Sequence, residues 1–305
     1  MLSIQQLKDK IRQYKFERLS RQLNFDPNEV IILSSDPRGG STWFAQLINA
    51  IPHSAVVNEP LNLGQSPMAV KLKMSWRQYI PPVAQWPEAK LMFDKIFSGK
   101  YLNNGTTNYS TLDDFKNAKQ LIVKFCRAHN LLYWLINQYD FKKKPVHMFR
   151  HPLAVVASQM QHPQWKRDKM IEFSFLNAPF SEYYEEEKDY LLSLETQEEG
   201  MVATWCLSNL PLLKNPSPSI QFIKYEEMLI KPEEILTNIF SQWNMPVPAE
   251  TFNLIRKKSK STLEGSNVEV PEKQLLAWKN KFTDVQLHKL RAVLDHYDVG
   301  AYYEY

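Results

Sequence analysis

Glycine is scarce in this chain: 8 of 305 residues, against 19 prolines. A sequence so poor in the residue that tolerates left-handed backbone makes any adjacent pair informative, and Gly39-Gly40 is therefore the first position to explain. Cysteine is scarcer still. Cys126 and Cys206 cannot build a disulfide framework, and two unpaired buried thiols in a reducing compartment are expected. No apolar run reaches bilayer-spanning length, and the opening segment lacks the hydrophobic core of a secretion signal. A dominant charge sign is also missing. With 37 Lys+Arg against 33 Asp+Glu, the formal charge of +4 permits an anionic ligand but not a nucleic-acid coat. No repeat or low-complexity linker interrupts the chain, and no His, Cys, Asp or Glu spacing suggests a metal.

What is present is globular: 44% hydrophobic and 23% charged residues, long enough to bury a substantial core. Apolar β-rich runs at 29–35, 55–58, 120–125, 145–149 and 219–225 alternate with helical patterns at 41–51, 130–139, 152–161, 201–213 and 232–243. That alternation predicts an α/β fold: a P-loop-like parallel sheet of about five strands with helices on both faces, as a single domain over 1–305. Residues 1–25 read as an amphipathic helix, with Leu2, Ile4, Leu7, Ile11, Tyr14 and Leu19 expected to pack on the body. Its basic residues also allow peripheral membrane contact. Residues 62–118 and 162–200 break the rhythm and read as insertions on the acceptor side. The acidic cluster Glu182, Glu185, Glu186, Glu187 and Asp189 in the second reads as a solvated helix face.

The segment EVIILSS-DPRGGS-TWFAQLINAI carries the clearest chemical signal. An apolar strand ends at Ser35, the turn holds Arg38, Gly39 and Gly40, and a helix opens at Ser41. Glycines let a phosphate approach the backbone, and the free N–H groups of a helix start point at it. Ser41 and Thr42 add hydroxyls, and Arg38 adds a fixed charge. The Walker pattern G-x-x-x-x-G-K-S/T is not met, because Gly40 stands at the lysine position and Ser34 at the first glycine. ATP or GTP hydrolysis is disfavoured accordingly. A second anchor lies at PVHMF-RHPLAVVASQ. Arg150 stands at the carboxyl end of a short strand, where open α/β sheets bind ligands, and Ser158 lies eight residues on along a helix opened by Pro152.

Together these motifs resemble the sulfotransferases that use 3′-phosphoadenosine 5′-phosphosulfate (PAPS). Pro37 to Trp43 resembles that family's 5′-phosphosulfate loop, and Arg150 with Ser158 its 3′-phosphate motif. Ile223 to Met228 with Lys231-Pro232 is similar to the family's Y-E segment. Trp278-Lys279-Asn280 with Phe282-Thr283 is similar to its W-K-N-x-F-T stretch. The resemblance runs from about residue 29 to the end and implies metal-free transfer of a sulfuryl group from PAPS, leaving 3′,5′-adenosine bisphosphate.

It also implies roles. The donor would be held by Arg38, Gly39, Gly40, Ser41, Thr42, Trp43, Arg150 and Ser158, with Tyr225 on the adenine side and Ser261 and Thr262 late in the chain. Arg256, Lys257, Lys258 and Lys260 form a basic run beside the latter pair. Lys124, Arg38 and Ser261 would act on the leaving phosphate oxygen. The family's usual K-x-H base is missing: Lys124 is present, but Cys126 occupies the histidine position. The tyrosylprotein and carbohydrate types instead carry a Glu about twenty residues after the loop. Glu59, in Val57-Asn58-Glu59-Pro60, is expected to be the base, with its pKa raised by a partly dry cleft. His53, His147 and His151 are rival bases, with His147 more plausible as a satisfied core residue. His162 stands where the family has a second 3′-phosphate arginine.

The acceptor is expected to be a hydroxyl on a sugar or glycolipid, on the strength of Trp76, Tyr79, Trp86 and Tyr101 in the first insertion. Peptide tyrosine or a small alcohol is the lesser option, and no nucleic-acid partner is expected. Lack of an anchor points to a cytoplasmic enzyme. A competing reading is a phosphate- or nucleotide-binding regulatory module or an atypical kinase.

Overall fold

The computed structural model describes residues 3–163, 173–257 and 271–305. Its centre is a five-stranded, all-parallel sheet in the order β2-β3-β1-β4-β5. The strands are β1 Ile31–Ser35, β2 Ser54–Asn58, β3 Gln120–Phe125, β4 Val146–Phe149 and β5 Gln221–Lys224. Their β-branched, near-continuous apolar sequences suit strands covered on both sides. Ile31, Leu33, Ile122, Val146 and Met148 pack against the helices Ser41–Ile48 and Pro232–Gln242. Ile32, Val57, Leu121 and Val123 face the opposite layer, built on Pro87–Phe97 and Leu132–Gln138. A third cluster joins Pro152–Met160, Gln197–Lys214 and Asp284–His296.

The order of the strands matters for function. β1 lies in the middle, and crossovers lead to β2 on one side and, from β3, to β4 on the other. Such a reversal opens a crevice at the carboxyl ends of the strands. Arg38, Glu59, Cys126, Arg150 and Tyr225 each follow a different strand of the five. The fold therefore delivers one candidate site residue from every strand to a single edge.

Three local expectations are corrected. The 219–225 run stops as a strand at Lys224, because Tyr225 opens a helix, Tyr225–Ile230, whose first turn carries Glu226 and Glu227. The 41–51 helix closes at Ile48. The N-terminal helix, Ile4–Ser20, rests on the body through Phe16 and Leu19, with Phe16 set edge-on to Phe115 at 6.0 Å. Of the stripe expected to face inward Leu19 does so, but its upstream part is turned to solvent: Ile4 is 77% and Tyr14 65% exposed, and Leu7 and Ile11 are exposed beside them. The acidic segment meets its expectation at Glu182, Glu185, Glu186 and Asp189, which are exposed, but not at Glu187, which is half-buried and faces His296 at 3.5 Å. Both cysteines are buried and unpaired. Among the described residues no helix is long and apolar enough to cross a membrane.

Candidate active site

The turn after β1 is built by backbone geometry few side chains accept. Arg38 has φ 69° and Gly40 φ 97°, and the Gly39 N–H closes the turn onto the Asp36 carbonyl at 2.8 Å. A Cβ on Gly40 would stand 2.5 Å from the Tyr225 ring, so glycine is required there by φ and by packing together. Gly40 caps the helix Ser41–Ile48 without any side-chain hydrogen bond, which leaves its first N–H groups available to an anion.

Two guanidiniums converge on this turn. Arg150 donates from Nη1 to the Arg38 carbonyl at 2.7 Å and lies 4.4 Å over the Tyr225 ring. Arg38 donates from Nε to Ser158 Oγ at 3.1 Å, which unites the two sequence motifs in one site. Burial and the nearby Arg150 charge push the Arg38 guanidinium below its ordinary value. The Arg150 Nε is buried and meets no acceptor among the described residues. Two close cations, an unmatched buried donor and an uncapped helix start fit a phosphate-bearing ligand.

Tyr225 is wedged between Arg150 and Trp43, which stands edge-on at 6.1 Å, and Gln274 donates to its hydroxyl at 2.6 Å. Trp43 itself is anchored by an Nε1–H bond to the Ile255 carbonyl at 3.2 Å. His162 sits near enough to Arg38 that, after burial, the Arg38 charge is what lowers its pKa. Ser261, Thr262, Lys258 and Lys260 lie outside the described residues.

The second half of the site forms where β2 and β3 end. Asn58 pairs in register with Lys124, so the residue after β2 is brought beside it. The Lys124 ammonium donates to Glu59 Oε1 at 2.9 Å; Glu59 Oε2 accepts from the Cys126 N–H at 3.1 Å and from Arg127 Nη1 at 3.2 Å. The Lys124 Nζ also lies 5.9 Å from the centre of the Tyr109 ring, whose hydroxyl meets Thr42 Oγ1 at 3.3 Å. Burial pushes the Glu59 carboxyl up, but Lys124 and Arg127 outweigh it and hold the group below its ordinary value. The expectation of a raised pKa is therefore corrected, and the physical reason is Lys124 first, joined by Arg127, which the sequence did not single out. Glu59 also has φ 49°, a left-handed residue locked in place by its N–H bond to the Lys124 carbonyl at 2.8 Å.

Cys126 shares a hydrogen bond with Ser41 Oγ at 3.1 Å, tying this half to the glycine turn. Burial and the Glu59 charge push its thiol up to about 11, so it is not a thiolate at neutral pH. The rival histidines are occupied elsewhere. His147 is wholly buried between Ser34 Oγ and Asn209 Oδ1, His151 bonds the Glu304 carbonyl through Nε2 at 2.8 Å, and His53 lies exposed before β2. The sequence also gave no sign of the buried cluster beneath the turn. There Asp36 meets Arg77 at 3.0 Å, His129 at 3.4 Å and Asn209 at 2.9 Å. A charged residue inside a strand-to-turn junction is a signal that something must pair with it.

Several aromatic expectations divide. Trp86 packs on Phe180, Tyr79 stacks on Tyr183, and the Tyr101 hydroxyl pairs with Ser66. Trp76 alone of the four reaches the site, 39% exposed, with the Arg127 guanidinium 4.5 Å over its ring.

Among solved structures, the chain is similar to the mouse sulfotransferase SULT7A1 complexed with PAP. That pair shares 13% identity, covers 96% of this chain and 94% of the other, and has a TM-score of 0.45. It is similar also to the sulfotransferase domain of the Synechococcus PCC 7002 olefin synthase, with 16% identity, coverage of 92% and 97%, and a TM-score of 0.45. The sulfotransferase STF1 of Mycobacterium tuberculosis shares 11% identity, with coverage of 89% and 82% and a TM-score of 0.41. No curated protein matches the chain. The family model described as the sulfotransferase domain matches residues 28–297, which span every strand of the sheet and both motifs of the turn, and the chain belongs to that family.

Proposed function

We propose that the chain moves the sulfuryl group of PAPS to a hydroxyl of a sugar or glycolipid, with Glu59 as the base. The reading rests above all on one relationship: the Glu59 carboxylate and the Lys124 ammonium meet at 2.9 Å on the sheet edge that also carries the glycine turn. When bound, the donor supplies an activated sulfuryl group. The N–H groups of Gly40 and the helix start, with Ser41 and Thr42, suit its 5′ end. Arg38, Arg150 and Ser158 suit its 3′-phosphate, with Tyr225 and Trp43 beside the base.

Lys124 offers fixed positive charge where negative charge must gather on a leaving oxygen. Glu59 stands ready to take the acceptor's proton because it is ionised at neutral pH. A Lys124 ammonium that turns toward a second anion releases part of its hold on Glu59, which strengthens the carboxylate as a base. Trp76, half open beside Arg127, offers a sugar ring a stacking face next to Glu59. Two buried free thiols suit the cytoplasm.

Calorimetry with 3′,5′-adenosine bisphosphate against ATP and GTP tests the donor. Preference for the bisphosphate is expected, whereas preference for ATP favours the kinase or regulatory reading. Transfer of labelled sulfate from PAPS across glycans, glycolipids, phenols and peptides tests the acceptor.

A further inference from the structure

Beyond Tyr109 lies a groove that the donor-side motifs do not use. It has a volume of about 500 Å³ and runs between the N-terminal helix and residues 107–112. Lys8, Arg12 and Lys15 stand along one wall and Tyr109 on the other, with no acidic side chain among its lining residues. Arg12 is fixed: its guanidinium donates to the carbonyls of Asn104 at 3.1 Å and Thr107 at 2.8 Å and to no carboxylate. Lys8 and Lys15 have no hydrogen-bond or ion-pair partner among the described residues. The concentration of charge is unusual for this chain. Residues 1–25 hold six basic and two acidic residues, which equals the whole net charge of +4.

The groove is coupled to the reacting groups through one side chain. Tyr109 lines it, and the same residue touches Thr42 at 3.3 Å and lies under the Lys124 ammonium at 5.9 Å. Three cations without counter-charges beside a shared aromatic wall favour a ligand that brings its own negative charge. We infer that this groove is an acceptor subsite and that the acceptor carries an anionic group, a carboxylate or phosphate, near the hydroxyl that is modified. The inference rests on the sulfuryl-transfer reading and adds the acceptor's charge to it.

The test uses a matched pair, methyl glucuronide and methyl glucoside, and the variant K8Q/K15Q, whose two substitutions lie on an exposed helix face. Saturation-transfer NMR reads binding directly, and labelled-sulfate transfer reads KM and kcat. The wild type is expected to favour the glucuronide, and the variant to raise its KM roughly fivefold with kcat, glucoside KM and bisphosphate affinity unchanged. Dodecyl glucuronide in neutral vesicles separates a lipid headgroup from a soluble sugar as the source. Preference confined to the vesicle arm assigns a headgroup, and preference in both arms assigns a soluble acceptor. No preference for the glucuronide over the matched glucoside in either arm, or a preference that K8Q/K15Q leaves intact, overturns the inference. Failure of the underlying reading shows itself separately, as loss of bisphosphate binding while the NMR signal from the glucuronide persists.

Discussion

The ammonium of Lys124 and the carboxylate of Glu59 form a nearly dry ion pair, 2.9 Å apart with side chains 5% and 12% exposed. Neither charge could be kept there alone, since an unpaired buried ion costs far more than a pair. Glu59→Gln keeps the shape and one amide oxygen to accept from Lys124, gives up the second acceptor oxygen that Cys126 and Arg127 use, and cannot take a proton. It is expected to bind 3′,5′-adenosine bisphosphate as the wild type does and to lose about 10²–10⁴-fold in kcat. Turnover close to wild type moves the base elsewhere. Since Lys124 and Arg127 hold Glu59 below its ordinary value, the acid limb of the kcat/KM profile should fall below the usual carboxylate range.

Arg150 spans two tasks, gripping the Arg38 carbonyl and covering the Tyr225 ring. Its buried Nε has no hydrogen-bond partner among the described residues, which leaves a donor for a ligand to satisfy. Arg150→Ala is expected to weaken bisphosphate binding by about 10–100-fold, the worth of one or two charge-assisted hydrogen bonds. Arg150→Lys should recover only part of this, because an ammonium has no planar fork. Titration calorimetry at two salt concentrations checks both, and affinity unaltered in the alanine variant removes Arg150 from the donor site.

Gly40 meets two constraints that alanine fails separately. At φ 97° a Cβ is strained, and here it would also press on the Tyr225 ring at 2.5 Å. Gly40→Ala is expected to cost about 1–3 kcal/mol from backbone strain, seen in urea denaturation, together with loss of bisphosphate binding. Adding Tyr225→Leu should relieve the contact without restoring the φ. A single variant that retains both stability and binding would falsify the assigned role of the turn.

Most of the fold was legible because parallel strands are short apolar runs punctuated by helices, and all five runs lie within the observed sheet order. The meeting of Arg38, Gly40, Arg150 and Ser158 was legible for the same reason, since they sit at fixed offsets from strand ends. What sequence could not show is pairing between distant segments. Lys124, and with it Arg127, reverses the expected pKa direction of Glu59, and Arg77 from the first insertion reaches Asp36 beneath the glycine turn. Helical spacing in residues 4–20 was read correctly, but spacing does not say which stripe meets the body. Phe16 and Leu19 decide that by fitting beside Phe115, and Ile4 and Leu7 are left in water.

The buried imidazoles make stability depend on pH in a direction that can be worked out. Burial is the first cause for each: it lowers His129 despite Asp36 beside it, takes His147 down to about 3 and His151 down to about 4. His151 shows how the neutral form is held. The Glu304 carbonyl at Nε2 fixes the N–H there, Nδ1 is left bare, and the ring stacks on Trp278 at 4.6 Å. In the unfolded chain these groups titrate near 6.5, so below that pH the unfolded state binds more protons than the folded one. The stability they allow is whole above pH 6.5 and drains as pH falls toward the depressed values, at about 1.4 kcal/mol per pH unit for each of His147 and His151, with His129 adding in the same direction. Urea denaturation at pH 7 and pH 5 should therefore show a marked loss at the lower pH. His151→Phe, which keeps the stack on Trp278 but cannot titrate, should flatten the slope by about one group's share. Stability that holds level or rises on acidification would mean that these rings are charged in the folded protein.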